Sequence, residues 1–409
     1  MNETVTTEVE RPKRHPEFYA CFGHDGQIYL GVGQAEARLV GSQDMLDVLA
    51  LCDGERTVAE IAEALTWKVD PVERANRAGA LVGRLRANGL LAGTASPTQE
   101  PRYGYARPDI HRHMVQDKVR TDAFRDALYE VVKPGSTVID MGTGTGVLAI
   151  FAAQAGAKEI HAIECSEIVD QAREVARLNG FPQIQFHQED ATEIELGTEA
   201  DVIVSEWLGY WVYADGMYPA VAALRDRSLK PGGVMVPMSV DLFLAPMHDV
   251  DKEGHVYWAD KPYGLDFGPV AEAEYHFGQI RTVPRSALLA EPELVHTMDC
   301  HTASADDLCF RSQVSFTVSR DGELNGFCGH FTSQLSPSVI LDTAPGTPDT
   351  HWQQQVFAVR PIQVKRGDVV ELEAEVWLAP YDSRLVRIAL RGKVGMGGEG
   401  RTFSHTYDQ

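Results

Sequence analysis

The chain has 409 residues, 44% of them hydrophobic, and its 37 basic and 59 acidic side chains leave a formal charge of −22. That length suffices for two or three domains, and the acidity argues against a nucleic-acid backbone as partner and favours a cationic or neutral substrate. No run nears the ~18 apolar residues of a membrane span, the start MNETVTTEVERPKRHPE lacks a signal-peptide core, and the six cysteines form no C-x-x-C pair or zinc-like cluster. The expectation is a soluble cytoplasmic protein with reduced thiols and no metal, membrane or nucleic acid. In chain order, FYACFGHDGQIYLGVG alternates like short strands around the turn His24-Asp25-Gly26. Residues 45–51 carry one apolar helix face, Thr57 and Glu60 open a helix as a capping box, and Pro71 starts a helix running to Gly89. Residues 15–95 thus read as a small winged-helix-like module of β plus three helices, and residues 92–101 as a Gly/Ser/Thr/Pro linker.

Residues 102–238 alternate strand and helix, which implies a doubly wound, Rossmann-like parallel sheet with helices on both faces. Strands are expected at 137–140, 184–186 and 201–204, with Ser166 capping a helix through Asn179-Gly180. A helix over 217–229 is expected to stop at Lys230-Pro231-Gly232-Gly233. Residues 239–409 carry short β segments, including 369–378 and a hairpin of 313–318 with 326–331 through Asp321-Gly322, and read as an antiparallel barrel or sandwich. The Gly-rich stretch 395–400 reads as mobile.

Residues 137–164, TVIDMGTGTGVLAIFAAQAGAKEIHAIE, form a strand, glycine turn, helix and second strand ending in an acid. Asp140 ends the first strand, Gly142, Gly144 and Gly146 permit a sharp turn and close approach of a ligand, and Glu164 can accept from both ribose hydroxyls. Val147 stands where a dinucleotide fingerprint wants its third glycine, so the spacing fits S-adenosylmethionine, which has no pyrophosphate to place. The alternative is a glycine turn without a ligand. After the strand 201–204 comes SEWLGYWVYADGMYP, in which Glu206 and Asp215 could converge with Trp207, Tyr210, Trp211 and Tyr213 around a cation. An aromatic loop packed on the barrel, with its acids in water, is the plainer reading.

From about Tyr103 onward the sequence resembles the protein arginine N-methyltransferases. The glycine turn, the IECSE strand end, the Glu206 loop, the KPGG turn and Thr350-His351-Trp352 match in order. The resemblance implies an S-adenosylmethionine-dependent N-methyltransferase. In DIHRHMVQDKVRT it implies Arg120 on the methionine carboxylate and His111 and Met114 lining the cofactor pocket. Asp140, Gly142, Gly144 and Glu164 would complete that pocket, with Asp190 accepting from the adenine amine. Glu206, Asp215 and His351 would be catalytic, with Tyr105, Trp207, Tyr210, Met217 and Trp352 toward the substrate. A homodimer built through an arm near residues 248–285 is also implied. Two departures stand out. Asp215 occupies the place of the family's second glutamate, one methylene shorter, and Pro101-Arg102-Tyr103-Gly104-Tyr105 lacks the usual upstream Tyr-Phe pair.

The front module is similar to PqqD and related peptide-recognition elements of ribosomal-peptide biosynthesis, through LALCDGERTVAEIAEAL and RLRANGLL. That resemblance implies a precursor peptide whose leader adds as a strand to the small sheet. Arg74, Arg77, Arg84 and Arg86 could complement an acidic leader, a solvated helix face being the simpler reading. The two halves together imply methylation of a nitrogen on a leader-guided peptide, with an arginine side chain as the family default. N,N-dimethylation of a terminal amine, in daptide-like tailoring, is the second reading, and a non-catalytic peptide-binding scaffold is the third.

Overall fold

The computed structural model describes all residues except 1–10, 17, 23–27, 33–38, 88–89, 93–105, 214–215, 249–256, 380–381, 396–399 and 409. Tyr105 and Asp215 therefore lie outside the described residues, as do the turn His24-Asp25-Gly26, Gly89, most of the linker and most of the Gly-rich stretch. The chain divides into two units, Met1–Ala106 and Arg107–Gln409.

In the first unit, β1 (Phe18–Phe22), β2 (Ile28–Val32) and β3 (Leu39–Gly41) form an antiparallel sheet in that order, followed by α1 (Gln43–Leu51), α2 (Val58–Ala64) and α3 (Pro71–Ala87). Thr57 accepts from the Glu60 N–H while the Glu60 carboxylate accepts from the Thr57 N–H, so the expected capping box satisfies two donors at the start of α2. Ala78, Val82 and Leu85 recur at helical spacing on α3 and are buried with Met45, Leu49 and Ile61. Two of the arginines proposed for a leader are engaged within the unit. Arg74 donates to the Leu65 carbonyl, and Arg77 pairs with Asp44 while lying over the Trp67 ring.

The second unit opens with α4 (Pro108–Gln116) and α5 (Lys118–Val131), then alternates β4 (Thr137–Met141), α6 (Val147–Gln154), β5 (Glu159–Ile163), α7 (Ile168–Leu178), β6 (Gln185–His187), β7 (Ala200–Val204), α8 (Tyr218–Ser228) and β8 (Leu229–Val236). The strands pair in parallel in the order β6-β5-β4-β7-β8. β4 is central and buried along its length, Thr137 and Asp140 included, as a parallel strand covered on both faces is. Two local expectations need correction. Ser166 does not cap α7, whose N-cap is Glu167 and carries no side-chain cap bond. Lys230–Gly233 does not end the helix as a separate turn. It lies inside β8 as an irregularity against β7, with Gly232 at φ +80°.

The remainder forms two antiparallel sheets. One contains β9 (Ser239–Met247), β10 (Gln279–Arg281), β11 (Glu293–Asp299), β13 (Gly322–Gln334), β14 (Ile340–Asp342) and β15 (Gln354–Val364). The other contains β12 (Phe310–Thr317), β16 (Val369–Ala379), β17 (Asp382–Val394) and β18 (Arg401–Asp408). They share one apolar core with the Rossmann-like half. The expected hairpin through Asp321-Gly322 does not form: β12 pairs with β16, and β13 with β9 and β15. Phe316 and Phe327 face each other from opposite sheets with ring centroids 6.3 Å apart, so the Asp-Gly pair marks a crossover between layers. Within the segment expected to be an arm lies α9 (Gly268–Glu274), flanked by exposed Tyr263 and Phe277, but β10 at its end belongs to the barrel sheet.

Among the described residues no helix is long and apolar enough to cross a membrane, and no His/Cys/Asp/Glu group could hold a metal ion. Cys52, Cys165, Cys300, Cys309 and Cys328 form no disulfide.

Candidate active site

The site begins at the junction of α4 and α5. Asp117 caps α5, one oxygen accepting from the Arg120 N–H at 2.9 Å and the other from the His351 backbone N–H and ring Nδ1, both at 2.8 Å. Burial pushes the Asp117 carboxyl up, but the His351 ring bond and the two backbone N–H bonds outweigh it and hold the group below its ordinary range. At the other end of α5, the Glu130 carboxylate accepts from the hydroxyls of Ser336 (2.5 Å) and Ser338 (2.7 Å) on the barrel. The helix that carries Arg120 is thus pinned to the barrel at both ends.

Arg120 is buried. Its Nε and Nη2 donate to one oxygen of buried Glu206 at 2.9 and 2.5 Å, and the other Glu206 oxygen accepts from the Leu208 N–H at 2.9 Å. Arg120 Nη1 is buried with no partner. The loop after Glu206 is tight, with Trp211 at φ +44° and Val212 at φ +77°, a region that costs a β-branched residue strain. A backbone pair between Gly209 and Val212 closes it.

The glycine turn sits beside these groups. Gly142 and Gly144 have positive φ, and a Cβ on them would come within 2.8 Å of the Met217 methyl and the His111 ring respectively. Asp140 accepts through one oxygen from Thr143 Oγ1 (2.5 Å) and the Ala149 N–H (2.9 Å), while its other oxygen is buried without a partner. Burial, reinforced by the nearby Glu164 charge, pushes the Asp140 carboxyl up to about 7 against the opposing hydrogen bonds. Glu164 is aimed by four contacts: its N–H donates to the His187 carbonyl, and its carboxylate accepts from the Gly144 and Ser166 N–H groups and from the Cys165 thiol.

These residues fit the amino-acid end of S-adenosylmethionine. The orphaned oxygen of Asp140 is an acceptor for an ammonium and the orphaned nitrogen of Arg120 is a donor for a carboxylate, while the Glu164 carboxylate, held beside the glycine turn by the Gly144 and Ser166 N–H groups, is an acceptor for a diol. Asp190, three residues past β6, spends one oxygen on the Thr192 N–H and hydroxyl. Met114 is half-buried at the end of α4 and presents its carbonyl to Asp117 N–H and Thr121.

The aromatic groups depart most from expectation. Trp207 is 1% exposed and packs on Tyr218, Trp211 packs on Phe357, and Tyr213 donates to the Leu308 carbonyl. Trp352, expected toward the substrate, is buried and donates its indole N–H to the Leu208 carbonyl. These rings are core that braces the acidic loop. Tyr210 and Met217 stay only partly buried. Asp117 was not expected at the site, although an acid three residues before Arg120 at a helix start is a readable cap. Thr143 was likewise unassigned.

Residues 239–393 match the family described as the arginine methyltransferase oligomerization subdomain, and residues 121–235 match ribosomal protein L11 methyltransferase. A probable protein arginine N-methyltransferase 6 of Arabidopsis thaliana is 30% identical, over 70% of this chain and 77% of its own. Protein arginine N-methyltransferase PRMT10 of the same plant is 32% identical, over 80% and 97%. Among solved structures, the Trypanosoma brucei PRMT1 enzyme–prozyme complex with AdoHcy has a TM-score of 0.71 at 27% identity, covering 75% of this chain and 99% of that one. The open Arabidopsis thaliana protein arginine methyltransferase 10 has a TM-score of 0.68 at 30% identity, covering 74% and 98%.

Proposed function

We propose, from the premise that this chain belongs to the protein arginine N-methyltransferase family, that it methylates a nitrogen of a ribosomally made peptide captured through its leader. It is an S-adenosylmethionine-dependent enzyme, and the cofactor supplies a methyl group on an electrophilic sulfonium. The observation that carries the site is Arg120, which holds Glu206 with two nitrogens and leaves a third for the cofactor carboxylate. In this reading Asp140 takes the cofactor ammonium, Glu164 the ribose, and His111, Met114 and Met217 close the pocket. Glu206 orients the substrate nitrogen and draws off its proton, because a protonated nitrogen has no lone pair for attack. His351, fixed by Asp117, stands beside the opening. Guanidinium is the preferred nucleophile. The shorter Asp215 favours, as the alternative to guanidinium, N,N-dimethylation of a terminal amine, because a carboxylate moved by over ~1 Å makes a poorer bidentate clamp.

The raised Asp140 gives a pH signature. Below about 7 the group is largely neutral and attracts an ammonium poorly, and above it the carboxylate is available. Cofactor affinity should therefore rise as pH climbs through 7, with a proton released on binding near neutrality. Calorimetry in buffers of different ionisation enthalpy measures that proton, and Asp140→Asn should abolish it.

The leader role rests on the small sheet, whose outer strands β1 and β3 each pair on one side among the described residues, and on the likeness to PqqD. Deleting residues 1–95 should raise KM for the full precursor at least ~10-fold while changing kcat little, as expected when remote contacts bind ground and transition states alike. Equal turnover of peptides with and without leader by the intact chain would refute capture. The matching oligomerization subdomain and the exposed Tyr263 and Phe277 support a homodimer through the arm. Light scattering should read about twice the 45.0 kDa chain mass, and a monomeric reading at micromolar concentration would refute it.

A further inference from the structure

The strand that ends beside the pocket, β6, has only three residues and pairs on one side only, with β5. Three hydrogen-bonding groups fasten it. His161 on β5 and His187 on β6 meet edge to edge with Nδ1 and Nε2 3.0 Å apart, their rings 5.2 Å apart between centroids and within 21° of coplanar. The remaining nitrogen of His161 lies 3.0 Å from a Glu159 oxygen. Ile163 is the ladder partner of His187, and the His187 carbonyl accepts the Glu164 N–H at 3.0 Å. A side-chain fastener between the two strands therefore acts one residue from the acid assigned to the ribose. We infer that His161 and His187 are positioning residues for Glu164, an inference that rests on the methyltransferase reading above.

The protons can be placed. The Glu159 carboxylate can only accept, so His161 Nε2 carries hydrogen and its Nδ1 is a lone pair, which receives the Nε2–H of His187. One added proton, on His187 Nδ1, leaves this bond intact. A second, on His161 Nδ1, sets two N–H groups face to face and breaks it. The other charges near the pair are Glu189, which follows β6, and Arg173 of α7, which reaches the Phe186 carbonyl and pairs with Asp170. Burial, then the neighbouring His161, holds His187 below the ordinary imidazole range, opposed by Glu189, so His187 enters the bond as a neutral donor at pH 7.

The test uses the full chain and S-adenosylhomocysteine as the calorimetric probe. At about pH 7.5, His187→Ala should weaken binding roughly tenfold, as expected for one lost positioning bond, with kcat at saturating cofactor within about twofold of the unmodified enzyme. His187→Gln, whose amide N–H can still donate to His161 Nδ1 but takes no proton, should restore affinity. His161→Ala, which removes the acceptor of the same bond, should weaken binding by a similar factor, and the double Ala variant should bind about as well as the weaker single one. Full affinity in His187→Ala, or additive losses in the double variant, would overturn the positioning role. Should His187→Ala fail to fold, His187→Gln still decides, because tenfold weaker binding by a variant that keeps the donor would overturn it too. Loss of all probe binding by the unmodified protein would instead sink the methyltransferase reading, and this inference with it.

Discussion

Replacing Glu206 with Gln should lower turnover by at least ~100-fold, the lower end for loss of a general base or of a charge that aligns the nucleophile. The amide keeps the volume and can still accept from Leu208 N–H, so the loop should hold its shape. What it loses is the negative charge against Arg120 and the ability to take a proton. Cofactor affinity should stay level or tighten, since Arg120 is then less neutralised and a cofactor carboxylate meets a fuller positive charge. Rapid-quench methyl transfer combined with calorimetry separates the two effects. Full turnover by the Gln variant would rule out the carboxylate mechanism, and loss of cofactor binding would reassign the loop to the cofactor.

Arg120→Ala should do the reverse damage. It removes a donor for the cofactor carboxylate, a charge-assisted contact of roughly 1.5–3 kcal/mol, so affinity should fall about 10- to 150-fold. It also strands Glu206, whose side chain is only 6% exposed, and breaking such a buried pair costs on the order of 3–5 kcal/mol of stability. Thermal unfolding without ligand should register that loss. Adding Glu206→Gln to Arg120→Ala should recover much of the stability, because the stranded charge is gone, but none of the cofactor affinity. Additive losses in the double variant would show that the two side chains do not depend on each other.

The parts of this chain that were legible in sequence are those whose cause is local. The Thr57–Glu60 capping box spans three residues, and the glycine turn with Glu164 spans about one βαβ unit, so pattern and geometry are written together. Asp117 escaped notice because its partner His351 lies 234 residues away, and no spacing rule links a helix cap to a loop on another sheet. The aromatic residues misled for a different reason. Trp207 and Trp352 have the composition of a cation cage, but whether a ring lines a pocket or braces one from behind depends on what packs against it. Here that is Tyr218 behind Trp207 and Phe331 beside Trp352. The Asp321-Gly322 pair is a hairpin signal whose strands were claimed by longer partners, as the eight-residue ladder between β12 and β16 shows.

The double fastening of α5 bears on how this architecture can be taken apart. A helix of 14 residues is about 21 Å long, and a splint of that length crosses from the methyl-donor half to the sheet half with an acid at each end. Expressed by itself, the Rossmann-like half would leave Asp117 and Glu130 without His351, Ser336 and Ser338, and its Arg120 would sit on an untethered helix. Barrels from relatives could be grafted onto this chain only if they bring a histidine and two serines to the same places. The modular look of the strand order is therefore misleading: inheritance and engineering alike must treat the two halves as a single exchangeable block, with the cut falling before α4.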